Sequence, residues 1–312
     1  MHYIGLDIGG TAVKAGLIDE TGLILEALNR PTVINDLDGL LFELTELIRN
    51  FQKSVAIDAV GIGIPGLRSS KTGVIETSPN IPCLNKVNVE DQVANQVHLR
   101  VVSENDANCG AYAEFVCGAA AGIQNMVYLT IGTGLGSGLI LNGRLFAGGS
   151  GFGGELGHTT IDPGGRVCAC GNRGCLETLV SAPGIVMTAR EKMKDEPSTL
   201  LHRLDKPLTS QMIFDAAVRG DSVARATFEQ TGKYLGMACA NLINLLNPEM
   251  IVIGGGVMAS GEMLLRPAIE EVRRRAFAPS ARGCEIVQSK LWPEAGMIGA
   301  AMLARDRMGS DP

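Results

Sequence analysis

Short apolar segments, many of them alternating or rich in β-branched residues, recur along the chain and predict β-strands. Three open the sequence, separated by turn signals that include adjacent glycines and Thr-Gly. Others stop at Pro65-Gly66 or run into glycine-rich turns. The predicted strands are Tyr3–Ile8, Ala12–Ile18, Leu23–Asn29, Ala56–Ile64, Val97–Val102, Met126–Ile131, Gly138–Leu141, Met250–Ile253 and Glu285–Gln288.

Between these segments apolar residues recur every three or four positions, which predicts amphipathic helices. The predicted helices are Asp38–Phe51, a helix after Asn108 that runs to about Cys117, Ala182–Lys194, Ser210–Arg219, Ser222–Leu246, Glu262–Phe277 and Ala295–Arg305. Two halves that each open with strand, glycine turn and strand predict a duplicated α/β protein. Residues 191–206 are expected to form an exposed connection and residues 309–312 a frayed tail.

Composition narrows the class of protein. A chain of 312 residues suits about two domains, and 46% hydrophobic residues can form real cores. The net charge of −6 disfavours a nucleic-acid surface. Residues 115–143 carry no charge, but the glycines in the second half fit a hairpin better than a membrane helix. The first residues show no signal-peptide pattern, so a cytoplasmic protein with no membrane partner and reduced thiols is expected.

A cluster of His158, Cys168, Cys170 and Cys175 follows a glycine-rich run. One imidazole and three thiols can close a tetrahedral structural zinc site. A chance grouping or a redox pair is the alternative, although redox pairs usually have two intervening residues. Four protein ligands leave no position for a catalytic water, so the metal is expected to organise the flanking Glu155 and Glu177. These carboxylates suit a ligand with several hydroxyl groups.

Glycine turns follow three predicted strands. Asp7 precedes Gly9, Gly10 and Thr11, where backbone N–H groups can approach an anion and the carboxylate can hold Mg²⁺ through water; an ordinary hairpin turn explains this motif alone equally well. A second turn of the same kind strengthens the phosphate interpretation, with the phosphates expected in a cleft between domains. The second turn contains Gly132, Thr133 and Gly134, and the third glycine run, suited to a nucleotide base or sugar, is Gly254, Gly255 and Gly256.

Asp106 is predicted at the start of a helix, behind Glu104 and Asn105. Helix capping explains this position when it is taken alone. Beside two phosphate turns, however, a carboxylate facing a substrate hydroxyl is suited to act as a general base. The sequence therefore leaves a structural and a catalytic interpretation side by side.

These motifs together resemble the ROK family (repressor, open reading frame, kinase) of sugar kinases and sugar-responsive repressors. The resemblance covers nearly the whole chain and implies an α/β protein of the actin-like ATPase fold, with two α/β domains around a cleft. It rests on Leu6 to Thr11, Pro65-Gly66, Ser78 to Asn80, Glu104 to Asn108, Thr130 to Gly136, Gly154 to His158, the cysteine cluster and Ile253 to Gly256. It also implies a homodimer or homotetramer.

The resemblance implies roles for individual residues. Asp106 corresponds to the catalytic base, and the four residues of the cluster to the zinc ligands. The expected sugar-binding residues are Gly66, Asn80, Asn105, Asp106, Glu155, His158 and Glu177. The expected ATP, phosphate and Mg²⁺ residues are Asp7, Gly9, Gly10, Thr11, Lys14, Gly132, Thr133, Gly134, Gly254, Gly255 and Gly256.

The expected function is transfer of the ATP γ-phosphoryl group to a hexose, first of all to the 6-hydroxyl of glucose. Other hexoses and N-acetylhexosamines such as N-acetylmannosamine are alternatives, because Cys83-Leu84 and Phe152-Gly153 depart from the usual pattern of the family near the expected sugar pocket. A repressor is expected to carry a helix-turn-helix before the first strand, and none precedes Tyr3 here. A non-catalytic sugar-binding regulator and a zinc-stabilised interaction module are the less favoured alternatives.

The expected domain division follows from the same comparison of halves. Residues 1–118 and 295–312 are predicted to form a small α/β domain. Residues 119–294 are predicted to form a large α/β domain, with the zinc-binding insert and helices that dimerise.

Overall fold

A computed structural model describes residues 1–204 and 207–308 of the chain. The predicted tail at 309–312 and two residues of the predicted connection at 191–206 lie outside these residues. The strands are β1 His2–Ile8, β2 Ala12–Asp19, β3 Ile24–Pro31, β4 Ala59–Ile64, β5 Leu67–Arg68, β6 Ile75–Thr77, β7 Val101–Asn105, β8 Met126–Ile131, β9 Leu135–Leu141, β10 Arg144–Leu145, β11 Met250–Gly254 and β12 Glu285–Gln288.

The helices alternate with these strands, as the apolar periodicity predicts. They are α1 Leu37–Gln52, α2 Val89–Val97, α3 Asp106–Val116, α4 Glu177–Val180, α5 Ala182–Met193, α6 Ser210–Val218, α7 Ser222–Leu246, α8 Glu262–Arg275, α9 Ala278–Arg282 and α10 Ala295–Arg307. Among the helices in the described ranges, none is both long enough and apolar enough to cross a membrane.

The chain divides into two compact units. The first comprises residues 1–128, 137–154 and 289–312, and the second comprises residues 129–136 and 155–288. The predicted division at residues 118 and 295 remains a prediction.

The sheet of the first unit has the strand order β3-β2-β1-β4-β7. Strands β1, β2 and β3 form an antiparallel meander, whereas β4 and β7 run parallel to β1. On one face, the leucines of α1 pack with the apolar residues of β1 and β4. Because parallel strands end at the same edge of a sheet, the residues that follow β1, β4 and β7 come together there.

Helix α10 lies against glycines of this sheet. A Cβ on Gly5 would lie 1.9 Å from the carbonyl oxygen of Met297, and one on Gly61 would lie 1.8 Å from that of Ala300. The helix backbone therefore packs directly on the strands, and only glycine on the strands permits so close an approach. This close packing fixes the position of the first turn of α10.

The second sheet has the order β10-β9-β8-β11-β12, with β11 and β12 parallel. In the second unit α7 packs closely on α8, because Gly232 and Gly236 present no side chain to Pro267 and Ala268. Strand β9 begins at Leu135, three residues before the predicted start at Gly138. The glycines that suggested a longer turn lie inside the strand, where a Cβ on Gly138 would approach the Ala107 carbonyl oxygen to 2.8 Å.

The predicted strand Val97–Val102 is wrong at its first residues. Val97 is the last residue of α2, a helix that the sequence analysis missed although its buried valines are spaced four residues apart. The Asn88 side chain caps this helix by accepting a hydrogen bond from the Asp91 N–H, and His98 ends it in the left-handed conformation (φ 55°). The strand itself begins at Val101 and leads into Asn105.

Candidate functional site

The first glycine turn joins β1 to β2. Its backbone is fixed by Thr32, whose hydroxyl donates to the Gly9 carbonyl (2.6 Å) and whose N–H donates to the Thr11 carbonyl (3.0 Å). Gly10 and Thr11 are exposed, and a Cβ on Gly10 would lie 3.8 Å from the Cβ of Asn80. The structure therefore places the predicted phosphate turn beside a predicted sugar-binding residue that is 70 positions away in the chain.

The Asp7 carboxylate lies at the first turn of α10. A Cβ on Gly296 would lie 2.8 Å from the carboxylate carbon and from Oδ2 of Asp7, so this glycine makes room for the carboxylate. Burial raises the pKa of Asp7, and the Lys14 ammonium opposes this effect. Lys14 itself donates to the carbonyl of Pro293 (2.6 Å), just before α10. The partly shielded carboxylate of Asp7 is an oxygen ligand of the kind that Mg²⁺ prefers. The exposed turn beside it can approach an anion through its N–H groups.

Asn105, and not Asp106, is the N-cap of α3. Its Oδ1 accepts from the N–H groups of Ala107 (3.0 Å) and Asn108 (3.1 Å), and its Nδ2 donates to the Gly66 carbonyl (3.2 Å). One amide hydrogen of Asn105 remains for a ligand. Asp106 is the first residue of the helix and is half-buried. This position is at the positive end of the helix dipole, where a carboxylate is favourable.

The second glycine turn joins β8 to β9 in the second unit. The N–H of Gly132 donates to the Gly134 carbonyl (2.9 Å), and the Gly132 carbonyl accepts from the Ala182 N–H (2.8 Å). Gly255 has a φ of 92°, and its missing Cβ would lie 2.3 Å from the Ile131 carbonyl oxygen. The third glycine run therefore packs against the residue that immediately precedes the second turn.

Glu155 precedes a short 3-10 turn, Leu156–His158, which ends at His158 and packs against β9. Gly157 permits this contact, because a Cβ there would lie 2.4 Å from the Leu135 carbonyl oxygen. Burial raises the pKa of Glu155; the nearby Glu177 carboxylate acts in the same direction, and His158 acts against it. These three predicted sugar-binding residues therefore lie close to one another.

The four predicted metal ligands come together. One ligand atom from each residue lies within 4.8 Å of the others. The distance from Cys170 Sγ to Cys175 Sγ is 3.7 Å, as is that from Cys168 Sγ to His158 Nδ1. Tetrahedral zinc with Zn–S bonds of about 2.3 Å and Zn–N bonds of about 2.0–2.1 Å requires separations of about 3.8 and 3.6 Å. The geometry fits this metal, and with Nδ1 facing the cysteines, Nε2 of His158 is left for another partner.

Arg166 is a residue of this region that sequence analysis missed. Its guanidinium donates to the carbonyls of Thr178 (2.6 Å) and Gly184 (3.2 Å), to the Thr188 hydroxyl (2.9 Å) and to both carboxylate oxygens of Glu191 (2.7 and 3.1 Å). It therefore joins the metal-binding loop to α4 and α5. A single arginine in a loop gives no sequence signal for such a role.

A cleft beside the third glycine run was also missed. It lies between α6, α7 and the 3-10 turn after Gly255, and two aromatic rings, Phe214 and Phe228, meet edge-on at 5.9 Å beside it. In the sequence these aromatics are indistinguishable from ordinary core residues of helices. The cleft is lined by Ile185, Ser210, Gln211, Phe214, Phe228, Gly256, Val257, Ala259 and Ser260.

Comparison with known proteins places this arrangement in a family. The model of the ROK family matches residues 3–307 of the chain. The chain belongs to the ROK family. The family and the fold expected from the motifs are thereby confirmed. The two five-stranded sheets of the structure, with helices between their strands along the chain, agree with them.

Individual relatives are similar over nearly the full chain. The chain is 36% identical to a glucokinase of Thermotoga maritima, with 99% of both chains covered. Its structure is similar to the crystal structure of a ROK family glucokinase from Streptomyces griseus in complex with glucose and AMPPNP, with a TM-score of 0.84. The two sequences are 33% identical, and the match covers 98% of this chain and 100% of that one. The chain is 32% identical to a xylose repressor of Caldicellulosiruptor bescii, covering 99% of this chain and 79% of the repressor.

Proposed function

We propose that this protein is an ATP-dependent sugar kinase that transfers the γ-phosphoryl group of ATP to the 6-hydroxyl of glucose. The observation that carries the proposal is Asp106, a carboxylate that begins α3 while the neighbouring Asn105 provides the cap. Full-length similarity to the glucokinase of Thermotoga maritima and to the glucose-bound structure from Streptomyces griseus supports glucose as the acceptor.

In this proposal, Asp106 accepts the proton of the attacking hydroxyl. Asn105, anchored on Gly66 and on the first turn of α3, orients the sugar with its remaining amide hydrogen. Asn80 lies beside Gly10, so a sugar held by Asn80 lies next to a phosphate held by the first turn. Positioning and charge neutralisation are the main contributions of a protein to phosphoryl transfer.

The remaining proposed sugar- and nucleotide-binding residues belong to the second unit. The Glu155 and Glu177 carboxylates accept hydrogen bonds from sugar hydroxyls, and the Nε2–H of His158 donates one to a sugar oxygen. The exposed residue Thr133 of the second turn faces the phosphates of ATP, and the cleft beside Gly256 is the proposed contact for the nucleotide base. Hydrophobic and aromatic side chains with a few polar groups are typical of such a cleft.

Two metals complete the proposal. Zinc held by His158 and the three cysteines fixes the loop between Glu155 and Glu177 and has a structural role. Mg²⁺ bound near Asp7 neutralises charge on the phosphates when ATP is present. The protein's own part is to hold the Asp7 carboxylate against Gly296 at the end of β1.

The test is ADP release across a panel of hexoses and N-acetylhexosamines, with ATP and Mg²⁺. We expect the highest kcat/KM with glucose. A higher value with N-acetylmannosamine would overturn glucose as the substrate, and glucose binding without turnover of any sugar would favour the regulator instead. The Cys83 and Phe152 positions make this panel informative, because they differ from the usual family pattern.

A further inference from the structure

The Glu177 carboxylate divides its two oxygens between different tasks. Oε2 accepts a hydrogen bond from the N–H of Leu135 (2.9 Å), the residue that immediately follows the second glycine turn. Within the described part of the chain, Oε1 accepts no hydrogen bond, and the side chain is half-buried. We infer that Glu177 couples sugar binding to nucleotide binding by holding this turn with one oxygen and the sugar with the other. This inference rests on the proposed function.

The absence of a side chain at residue 134 makes the contact possible. A Cβ on Gly134 would lie 2.6 Å from Oε2 of Glu177, closer than two such atoms can approach. The carboxylate therefore packs against the turn backbone as well as bonding to it. A small residue at this point of the turn is required by Glu177 and not only by a bound phosphate.

The segment that carries Glu177 holds the turn at both ends. Glu177 bonds to Leu135 on one side, and Ala182, the first residue of α5, donates its N–H to the Gly132 carbonyl (2.8 Å) on the other. The segment between them is itself anchored, because Arg166 Nη1 donates to the Thr178 carbonyl (2.6 Å). Movement at Glu177 is therefore transmitted to the turn rather than absorbed by a flexible loop.

The physical basis of the coupling is conformational freedom. A sugar hydroxyl on Oε1 immobilises the carboxylate, and the carboxylate then restrains Leu135 and the phosphate-facing N–H groups before it. A nucleotide that binds to an already ordered turn loses less entropy, so its affinity rises. Linkage requires that the nucleotide raise the affinity for the sugar by the same factor.

The neighbouring carboxylate provides a matched control. Glu155 is equally a predicted sugar-binding residue; burial raises its pKa, and the charge of the nearby Glu177 acts in the same direction. Among the described residues, no hydrogen bond links its side chain to the second turn. Glu155→Ala should therefore weaken glucose binding without removing the coupling.

The experiment is calorimetric binding of AMPPNP with Mg²⁺, measured with and without saturating glucose, in the wild type, Glu177→Ala, Glu177→Gln and Glu155→Ala. We expect glucose to raise AMPPNP affinity about fivefold or more in the wild type. The ratio should fall to about one in Glu177→Ala, and Glu155→Ala should retain it. Because the amide oxygen of glutamine can accept from Leu135, Glu177→Gln should retain most of it.

A second measurement applies if Glu177→Ala binds glucose too weakly to saturate. Amide hydrogen exchange of a peptide covering residues 132–136 should slow when glucose binds to the wild type, and it should not change in Gly134→Ala, whose Cβ displaces the carboxylate. An unchanged affinity ratio in Glu177→Ala, an equal loss in Glu155→Ala, or glucose-dependent protection in Gly134→Ala would overturn the inference, and the proposed function of the wild type would still stand. A wild type that binds no hexose would instead overturn the proposed function.

Discussion

A methyl group at residue 296 tests whether the position of the Asp7 carboxylate matters for catalysis. Gly296 is the second residue of α10, and the Cβ of Gly296→Ala would lie 2.8 Å from Cγ and Oδ2 of Asp7. Ordinary contacts begin near 3.4 Å, so the carboxylate must move by 3.4 − 2.8 = 0.6 Å. The helix offers little relief, because Met297 and Ala300 lie against Gly5 and Gly61 of the sheet.

The expected effects on stability and activity have different sizes. Alanine is favoured over glycine inside a helix by about 1 kcal/mol, which offsets part of the local strain, so Tm should change by only a few degrees. A displacement of about 1 Å in a catalytic site can cost about 100-fold. We therefore expect kcat/KM for glucose to fall by roughly 10- to 100-fold, with a higher Mg²⁺ concentration needed for half-maximal rate.

The assay is glucose-dependent ADP release over a Mg²⁺ titration, with thermal unfolding measured in parallel. Gly283→Ala is the matched control, since its Cβ would meet only ordinary contacts at 3.6 Å and beyond. Asp7→Asn gives the effect of losing the carboxylate altogether. Wild-type kcat/KM and Mg²⁺ dependence in Gly296→Ala would refute the reasoning, and so would a loss of activity matched by a large fall in Tm.

Three further variants test the metal-binding loop. Cys170→Ser should release zinc, measured by a chelating dye, and weaken glucose binding more than AMPPNP binding; equal losses would contradict this. Arg166→Met should lower glucose affinity with zinc content retained, because the Thr178 carbonyl loses its anchor, and unchanged affinity would refute that role. The hydrogen bond from Arg166 lowers the pKa of Glu191, so this carboxylate stabilises the fold above its ordinary pKa of 4.5 and the benefit is lost as pH falls through the lower folded value. In urea unfolding, Glu191→Gln should therefore be less stable than wild type at pH 7, with a gap that narrows in acid; a gap independent of pH would contradict the assignment.

The positions of the glycine turns and the grouping of the cysteine cluster were predicted from the sequence, whereas the roles of these residues stay predictions. Asp7 to Thr11, Gly132 to Gly134 and the cysteine cluster each lie within a short stretch, and the turn or loop conformation follows from glycine and from ligand spacing. The alternation of strands and amphipathic helices likewise indicated an α/β protein. Local patterns of this kind depend on neighbouring residues, which is why a single sequence reveals them.

Features that depend on distant residues were not predicted. Nothing in the sequence shows that Gly296 makes room for Asp7, that Arg166 anchors Thr178, or that Leu135 donates to Glu177. Each of these contacts joins segments that are separated in the chain by 12 to 289 positions, and each uses a residue type common elsewhere. Helix α2 was missed although Val89, Val93 and Val97 recur every four positions, as on the buried face of a helix, and Asn88 supplies a cap.

The most direct test of the account is the turnover of glucose by Asp106→Ala. The account predicts a fall in kcat of roughly 100- to 10,000-fold, with unfolding temperature and AMPPNP binding close to those of the wild type. A variant that phosphorylates glucose at a near-normal rate would remove Asp106 from the mechanism and contradict the central claim.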